Sequence, residues 1–249
     1  MQCSSNNTSN SSGTSNTSSS ESTAKKEWAI AIHGGAGTIS KDKPDSVVQA
    51  YGQALDEALS IGERLQQGGS ALDAVEQTIN ALENNPKFNA GKGAVFTHDG
   101  EHELDAAIMV GNSRDAGAVT GVKSVKNPIS LARLVMEKSK HVMFATGGAE
   151  QFADEMGVER VDQEYFYTES RYEALQRALQ QDDQSNNLNE NDESPETDLW
   201  KHQFGTVGCV AVDQNGQIVA GTSTGGMTNK MYGRVGCATY WGRKLMPAM

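Results

Sequence analysis

Gln203-Phe204-Gly205-Thr206-Val207-Gly208 is the stretch where a polar segment stops and an apolar run begins. Upstream, Asp182 to Asp198 is rich in acids and amides and nearly without hydrophobes, a composition that cannot bury enough surface to offset the entropy of ordering. Downstream, Val207 to Val212 reads as a buried strand. A threonine at such a junction is placed so that cleavage before it would create a new N-terminus carrying a hydroxyl. That hydroxyl is a weak nucleophile until a base takes its proton. A free α-amino group, with a pKa of roughly 7.7–8.0, is partly unprotonated at neutral pH, so one residue would supply both nucleophile and base. Gly205 has no Cβ, which lets the preceding peptide take up the strained geometry that attack by its neighbour requires. On this stretch alone, a β-branched residue opening a strand explains Thr206 more simply.

The chain has 249 residues, 37% of them hydrophobic, enough for one sizeable core in a single domain. Its formal net charge of −11 argues against nucleic acid or an anionic membrane as partner. A small-molecule or dipeptide substrate fits better, and no cofactor is called for. No stretch has the apolar length of a membrane span. Met1-Gln2-Cys3 and the Ser/Asn/Thr run to Thr23 make residues 1–26 a flexible tether. This start resembles that of a mature bacterial lipoprotein with Cys3 lipidated, which implies a periplasmic or membrane-anchored protein. An incidental cysteine in a tail, with a cytoplasmic location, is the alternative. Cys3, Cys209 and Cys237 have no metal spacing, and Cys209 reads as a small core residue.

Residues 27–181 read as the first part of the domain, 182–205 as a mobile linker and 206–249 as the second part. Trp28 to Ile32 is a strand feeding the glycine-rich His33-Gly34-Gly35-Ala36-Gly37. The third glycine of a dinucleotide fingerprint is missing from it. Val47 to Leu65 has helical periodicity and stops at Gly68-Gly69. Ser70 and Asp73 form a capping box for a helix with Leu72, Val75, Ile79 and Leu82 inward. Strands are expected at Ala94–Thr97, Leu104–Val110 and Ala118–Val122, and helices at Ile129–Met136, Ala149–Met156 and Tyr172–Leu179. His141–Ala145 is a further candidate strand. His98 and His102 have the spacing of helical metal ligands, but Asp99-Gly100 between them signals a hairpin turn, which argues against zinc. Val207–Val212 and Gln217–Thr222 pair through the turn at Asp213–Gly216, and Ser223 to Lys230 reads as a loop.

Six stretches taken together decide the identity of Thr206. They are His33-Gly34-Gly35-Ala36-Gly37, Phe88-Asn89-Ala90-Gly91, Glu103-Leu104-Asp105-Ala106, Gly205-Thr206-Val207-Gly208, Ser223-Thr224-Gly225-Gly226 and Gly233-Arg234-Val235-Gly236. In this order they resemble the plant-type asparaginase and isoaspartyl peptidase family of N-terminal nucleophile (threonine) hydrolases. The resemblance implies an α/β fold, a four-layer αββα sandwich, that cleaves itself between Gly205 and Thr206. It implies Thr206 as nucleophile, Thr224 as the hydroxyl that orients it, and Asn89 as donor to the oxyanion or positioner of the nucleophile. Arg234 would clamp the substrate α-carboxylate, with Gly226 beside it in the substrate site. A structural sodium would be held by backbone carbonyls of the loop Leu82–Gly93, among them those of Leu82, Glu83, Phe88 and Ala90. The implied reaction opens an amide on the aspartyl side-chain carbonyl of L-asparagine or a β-aspartyl dipeptide, in a homodimer of processed pairs. The related glycosylasparaginases cleave after aspartate, whereas Gly205 precedes the threonine here.

The resemblance stops at Gly236. Cys237 stands where the family has the aspartate that holds the substrate α-ammonium, and Ala238 to Met249 departs from the family pattern. This predicts a chain truncated or frameshifted at its C-terminus, with an incomplete sandwich and no competent site. A non-catalytic fragment is the reading of another class.

Overall fold

The structure, a computed structural model, describes residues 27–35, 44–186 and 205–236. The tether with Cys3, most of the linker, Ala36-Gly37 and the segment from Cys237 onward lie outside these residues. Six strands form one sheet in the order β1 (Ala29–His33), β5 (Val207–Val212), β6 (Ile218–Thr224), β2 (Leu104–Val110), β3 (Ala116–Val122), β4 (Met143–Ala145). All pairings are antiparallel except β3 with β4. One face is covered by α3 (Ala71–Glu83), which lies on β5 and β6, and α4 (Pro128–Lys138), which lies on β2 and β3. The described residues therefore supply a sheet and a helical layer of an α/β fold, and a second sheet is not among them.

The helices follow their caps and apolar faces. Ser70 accepts from Asp73 N at 3.1 Å, the first half of the expected capping box at the start of α3, while the Asp73 carboxylate accepts from the Ser70 hydroxyl at 2.7 Å rather than from its backbone N–H. Asp213, in the β5–β6 turn, adds a second anion there, accepting from Ala71 N at 3.0 Å while its other oxygen accepts from Asn215 N and Gln217 N. Val75, Ile79 and Leu82 are fully buried beneath it. The helix read as continuous from Val47 to Leu65 is instead two, α1 (Asp45–Ser60) and α2 (Glu63–Gln66). Gly62 sits at the break, where a Cβ would come within 2.6 Å of Ile30 Cγ2. The chain turns there to let β1 approach. α5 (Thr146–Glu155) and α6 (Glu169–Asn186) occur where helices are expected, and α6 extends past Leu179 to Asn186. No helix among the described residues is long and apolar enough to cross a membrane.

Two expected elements differ. Ala94–Thr97 is not a strand; its only ladder contact is a single bridge between Thr97 and Lys230. Its backbone donors are taken locally, Ala94 N by Gly91 O at 3.0 Å and Val95 N by the side chain of Asn89 at 2.9 Å. Conversely, Ser223 and Thr224 are not loop but the end of β6, because Ser223 pairs with Ala106 and Val207, and Thr224 with Asp105. Cys209 lies in the core as expected, and burial pushes its thiol up to about 12.

His98 and His102 part company. His98 Nδ1 meets Asn229 Oδ1 at 2.8 Å, whereas the His102 ring lies 4.0 Å from that of Phe96 and is 1% exposed. Burial lowers the His102 pKa from 6.5 to about 4, and the nearby Lys230 charge acts in the same direction. As pH falls from 6.5 to 4, the unfolded chain takes up a proton that the folded chain refuses, so stability is lost on acidification. Denaturant unfolding at pH 7 and pH 4 should show the parent losing about 3 kcal/mol more than His102→Phe. Equal losses would mean that the ring is not held neutral.

Candidate functional site

The site forms at one end of the sheet face opposite α3 and α4. Side chains alternate along a strand, so Val207 and Ser223 point into the helical layer while Thr206 and Thr224 point away from it. Their register follows from the Val207–Ser223 pairing. Thr206 Oγ1 donates to Thr224 Oγ1 at 3.2 Å, and Thr224 Oγ1 donates to Gly205 O at 3.0 Å. Thr224 Oγ1 also accepts from Gly226 N at 3.0 Å, which fixes its rotor. A chain of hydroxyls thus runs from Thr206 back to the carbonyl of the peptide that precedes it.

Asn89 is 1% exposed and ties the loop after α3 to this end of the sheet. Its Nδ2 donates to Gly226 O at 2.8 Å, its Oδ1 accepts from Val95 N at 2.9 Å, and its carbonyl accepts from Gly225 N at 3.1 Å. One Nδ2 hydrogen is left for another acceptor. Asn89 packs on Gly205: a Cβ on Gly205 would lie 2.8 Å from Asn89 Cβ. Any larger residue before Thr206 would displace Asn89. Gly226, at φ +84°, is flanked by two cations, since a Cβ there would sit 3.3 Å from Lys230 Nζ and 3.7 Å from Arg234 Nη1. The structure therefore brings Thr206, Thr224, Asn89, Gly205, Gly226 and Arg234 into one cluster.

Four side chains with a place in this geometry were given no role on sequence, where Glu83 entered only through its backbone carbonyl. The His33 ring meets the Thr206 carbonyl through Nδ1 at 3.0 Å. Asp105 lies opposite Thr224 in the ladder and accepts from Thr120 Oγ1 at 2.6 Å, Gly121 N at 3.0 Å and Gly236 N at 2.5 Å. Lys230 is buried, its Nζ donating to Glu103 O at 2.8 Å, and desolvation lowers its pKa. Glu83 is fully buried at the end of α3, and burial raises its pKa to about 7 against the pull of its hydrogen-bond donors. A signal existed for Asp105, a carboxylate inside the apolar run Leu104–Val110. None existed for the other three, whose roles depend on distant segments.

The loop Leu82–Gly93 folds tightly on itself. A Cβ on Gly91 would overlap Glu83 O, and one on Gly93 would overlap the carbonyl oxygens of Pro86 and Phe88. Among the described residues no group of three or more His, Cys, Asp or Glu side chains could hold a metal ion, so any cation here would rest on these neutral oxygens.

The asparaginase family model matches residues 26–242. The isoaspartyl peptidase of Escherichia coli (strain K12) is 48% identical over 209 residues, which cover 83% of this chain and 64% of that protein. The isoaspartyl peptidase/L-asparaginase of Homo sapiens is 44% identical over 208 residues, 83% of this chain and 63% of its own length. The plant-type L-asparaginase of Thermococcus kodakarensis is 47% identical over 222 residues, 84% of this chain and 66% of its own. The chain thus spans a little under two-thirds of the length of these relatives. With a family match over most of its residues and relatives nearly half identical to it, the chain belongs to the asparaginase family.

Proposed function

We propose that a version of this protein as long as its relatives is a self-processing amidohydrolase that cuts itself between Gly205 and Thr206 and then uses Thr206 to hydrolyse L-asparagine or β-aspartyl dipeptides. The observation that carries the reading is the hydroxyl chain from Thr206 through Thr224 to Gly205 O. In the intact chain, Thr206 Oγ1 attacks the Gly205 carbonyl carbon. An ester bond forms, the peptide C–N bond breaks, and the amine leaves with a proton. Thr224 then donates to the oxygen on which negative charge develops, in a site that already holds it in place. Water opens the ester, leaving a Gly205 carboxylate and a Thr206 with a free amine.

That amine becomes the base for turnover. Thr206 Oγ1 attacks the side-chain carbonyl of the substrate, releasing ammonia or an amino acid, and water hydrolyses the β-aspartyl ester. The remaining Nδ2 hydrogen of Asn89, a side chain that lies against Gly205, is assigned to the oxyanion of turnover. Arg234, a planar fork suited to a carboxylate, and Lys230 give the Gly226 side the charge that a substrate α-carboxylate seeks. Relatives are named both as isoaspartyl peptidases and as L-asparaginases, which supports the substrate class. The crowded carbonyls of the Leu82–Gly93 loop suit a hard monovalent cation. A sodium held by the carbonyls of Leu82, Glu83, Phe88 and Ala90 would stiffen the segment that carries Asn89. Lipidation of Cys3 and assembly of two processed pairs belong to the same reading.

The test is a denaturing gel with an ammonia assay: two bands and release from asparagine are expected, and one band without release overturns the proposal. Thr224→Ala should still fold, because it removes one methyl and one hydroxyl at a strand end, but should slow both processing and turnover on the order of a hundredfold. Thr224→Ser should recover most of the rate. Unchanged rates in Thr224→Ala would remove Thr224 from the mechanism.

A further inference from the structure

Behind the hydroxyl pair, on the helical side of the sheet, lies a carboxylate that the proposed reaction does not use. Glu83 is 0% exposed among Val75, Ile79, Leu82 and Ile129, all of them fully buried. Its Oε1 accepts from Ser223 Oγ at 2.6 Å and from Ile129 N at 3.0 Å, and its Oε2 accepts from Asn127 Nδ2 at 3.0 Å. Those donors come from the end of β6 and from the first turn of α4, whose N-terminus favours a negative group. The carboxylate itself belongs to the last residue of α3, directly before the loop that carries Asn89.

A buried charge in a helix–sheet interface is a poor stability device, because a well-packed apolar residue of similar volume often does as well or better. What it adds is direction. Ser223 pairs with Val207 across the ladder, so the next rung toward the strand end sets Thr206 opposite Thr224. Holding the Ser223 side chain at a fixed point holds the strand end that sets the 3.2 Å separation of the two hydroxyls. The same carboxylate joins that strand end to the root of the Asn89 loop, and Gly91 of that loop folds back against the Glu83 carbonyl. Both the nucleophile pair and the amide are thus referred to one buried group.

We propose that Glu83 is a positioning residue for the Thr206–Thr224–Asn89 cluster, acting through Ser223 and α4 and touching no substrate. The inference rests on the reading of Thr206 as nucleophile. It is tested in the full chain with Glu83→Leu, Glu83→Gln and Ser223→Ala beside the parent and Thr206→Ala. Each is assayed for thermal midpoint, the rate of self-cleavage, and kcat and KM on asparagine and a β-aspartyl dipeptide.

Glu83→Leu should keep or raise the thermal midpoint yet slow self-cleavage and kcat on the order of tenfold to a hundredfold, with KM changed less than about twofold. Glu83→Gln, which keeps the shape and can still accept from Ser223 and Ile129, should recover much of the loss. Ser223→Ala, which leaves the carboxylate its two α4 donors, should lose rate in the same direction and keeps the test decisive if Glu83→Leu does not fold. Variants that match the parent in cleavage and kcat overturn the inference alone, whatever their thermal midpoints. A parent that neither cuts itself nor releases product overturns the nucleophile reading and this inference with it.

Discussion

Thr206→Ala should leave one uncut chain on a denaturing gel, with asparagine and β-aspartyl dipeptide turnover at the background of the assay. The expectation is absolute rather than graded, because the substitution removes the attacking atom and not a group that assists it. Loss of an activated nucleophile typically costs many orders of magnitude, whereas loss of a supporting donor costs two or three. The fold should survive. Thr206 is half-buried at the mouth of β5, and among the described residues its hydroxyl bonds only to Thr224. Thr224 would still accept from Gly226 N and donate to Gly205 O. Thr206→Ser should cut itself more slowly but at the same bond. A Thr206→Ala chain that still splits, or an N-terminus other than Thr206 on the smaller fragment, would end the assignment.

Asn89→Ala should be the next most damaging change, and should act on stability and rate together. The buried amide joins three segments, through Gly226 O, Val95 N and the packing of its Cβ against Gly205. Truncation leaves Gly226 O and Val95 N without their partner in a dry site, and unmet buried groups cost about 1–3 kcal/mol each. A loss of roughly 3 kcal/mol in denaturant unfolding is expected, with kcat reduced on the order of a thousandfold through loss of the donor and disorder of the Gly205–Thr206 peptide. Asn89→Asp separates the two effects. It keeps the acceptor for Val95 N but turns an oxygen toward Gly226 O, so it should fold better than the alanine variant and remain as slow. An Asn89→Ala chain with parental kcat would show that the amide is structural only.

Much of the fold could be read from the residues because its determinants are local. Ser70 and Asp73 declare a helix start, Asp213 to Gly216 a tight turn, and Val207–Val212 a buried strand, each within a few residues. Ala94–Thr97 could not be read. Its pattern is that of a strand, but the backbone donor it would offer a ladder goes to Asn89, six residues earlier, by way of a side chain. Gly62 misled in the same manner: its effect comes from Ile30, on a strand that periodicity in α1 cannot sense. At the candidate site, Thr206, Thr224, Asn89 and Arg234 were singled out through six short motifs together, none of which would have sufficed alone. Glu83 was placed only through its backbone, because its side-chain partners lie some 44 and 140 residues away.

If the Gly205–Thr206 bond is cut as proposed, the strand order has one more implication. Two strands that follow Gly205–Thr206 lie between two that precede it, β1 on one side and β2 on the other. Scission therefore yields two polypeptides woven through a single sheet, and neither leaves without breaking a ladder on each flank. Asp213 pins them further by serving its own hairpin and the first amide of α3 across the cut. The uncut chain unfolds and refolds as one molecule, independently of its concentration. The processed pair, once separated, must find its counterpart again, so its midpoint becomes concentration-dependent and its refolding second-order.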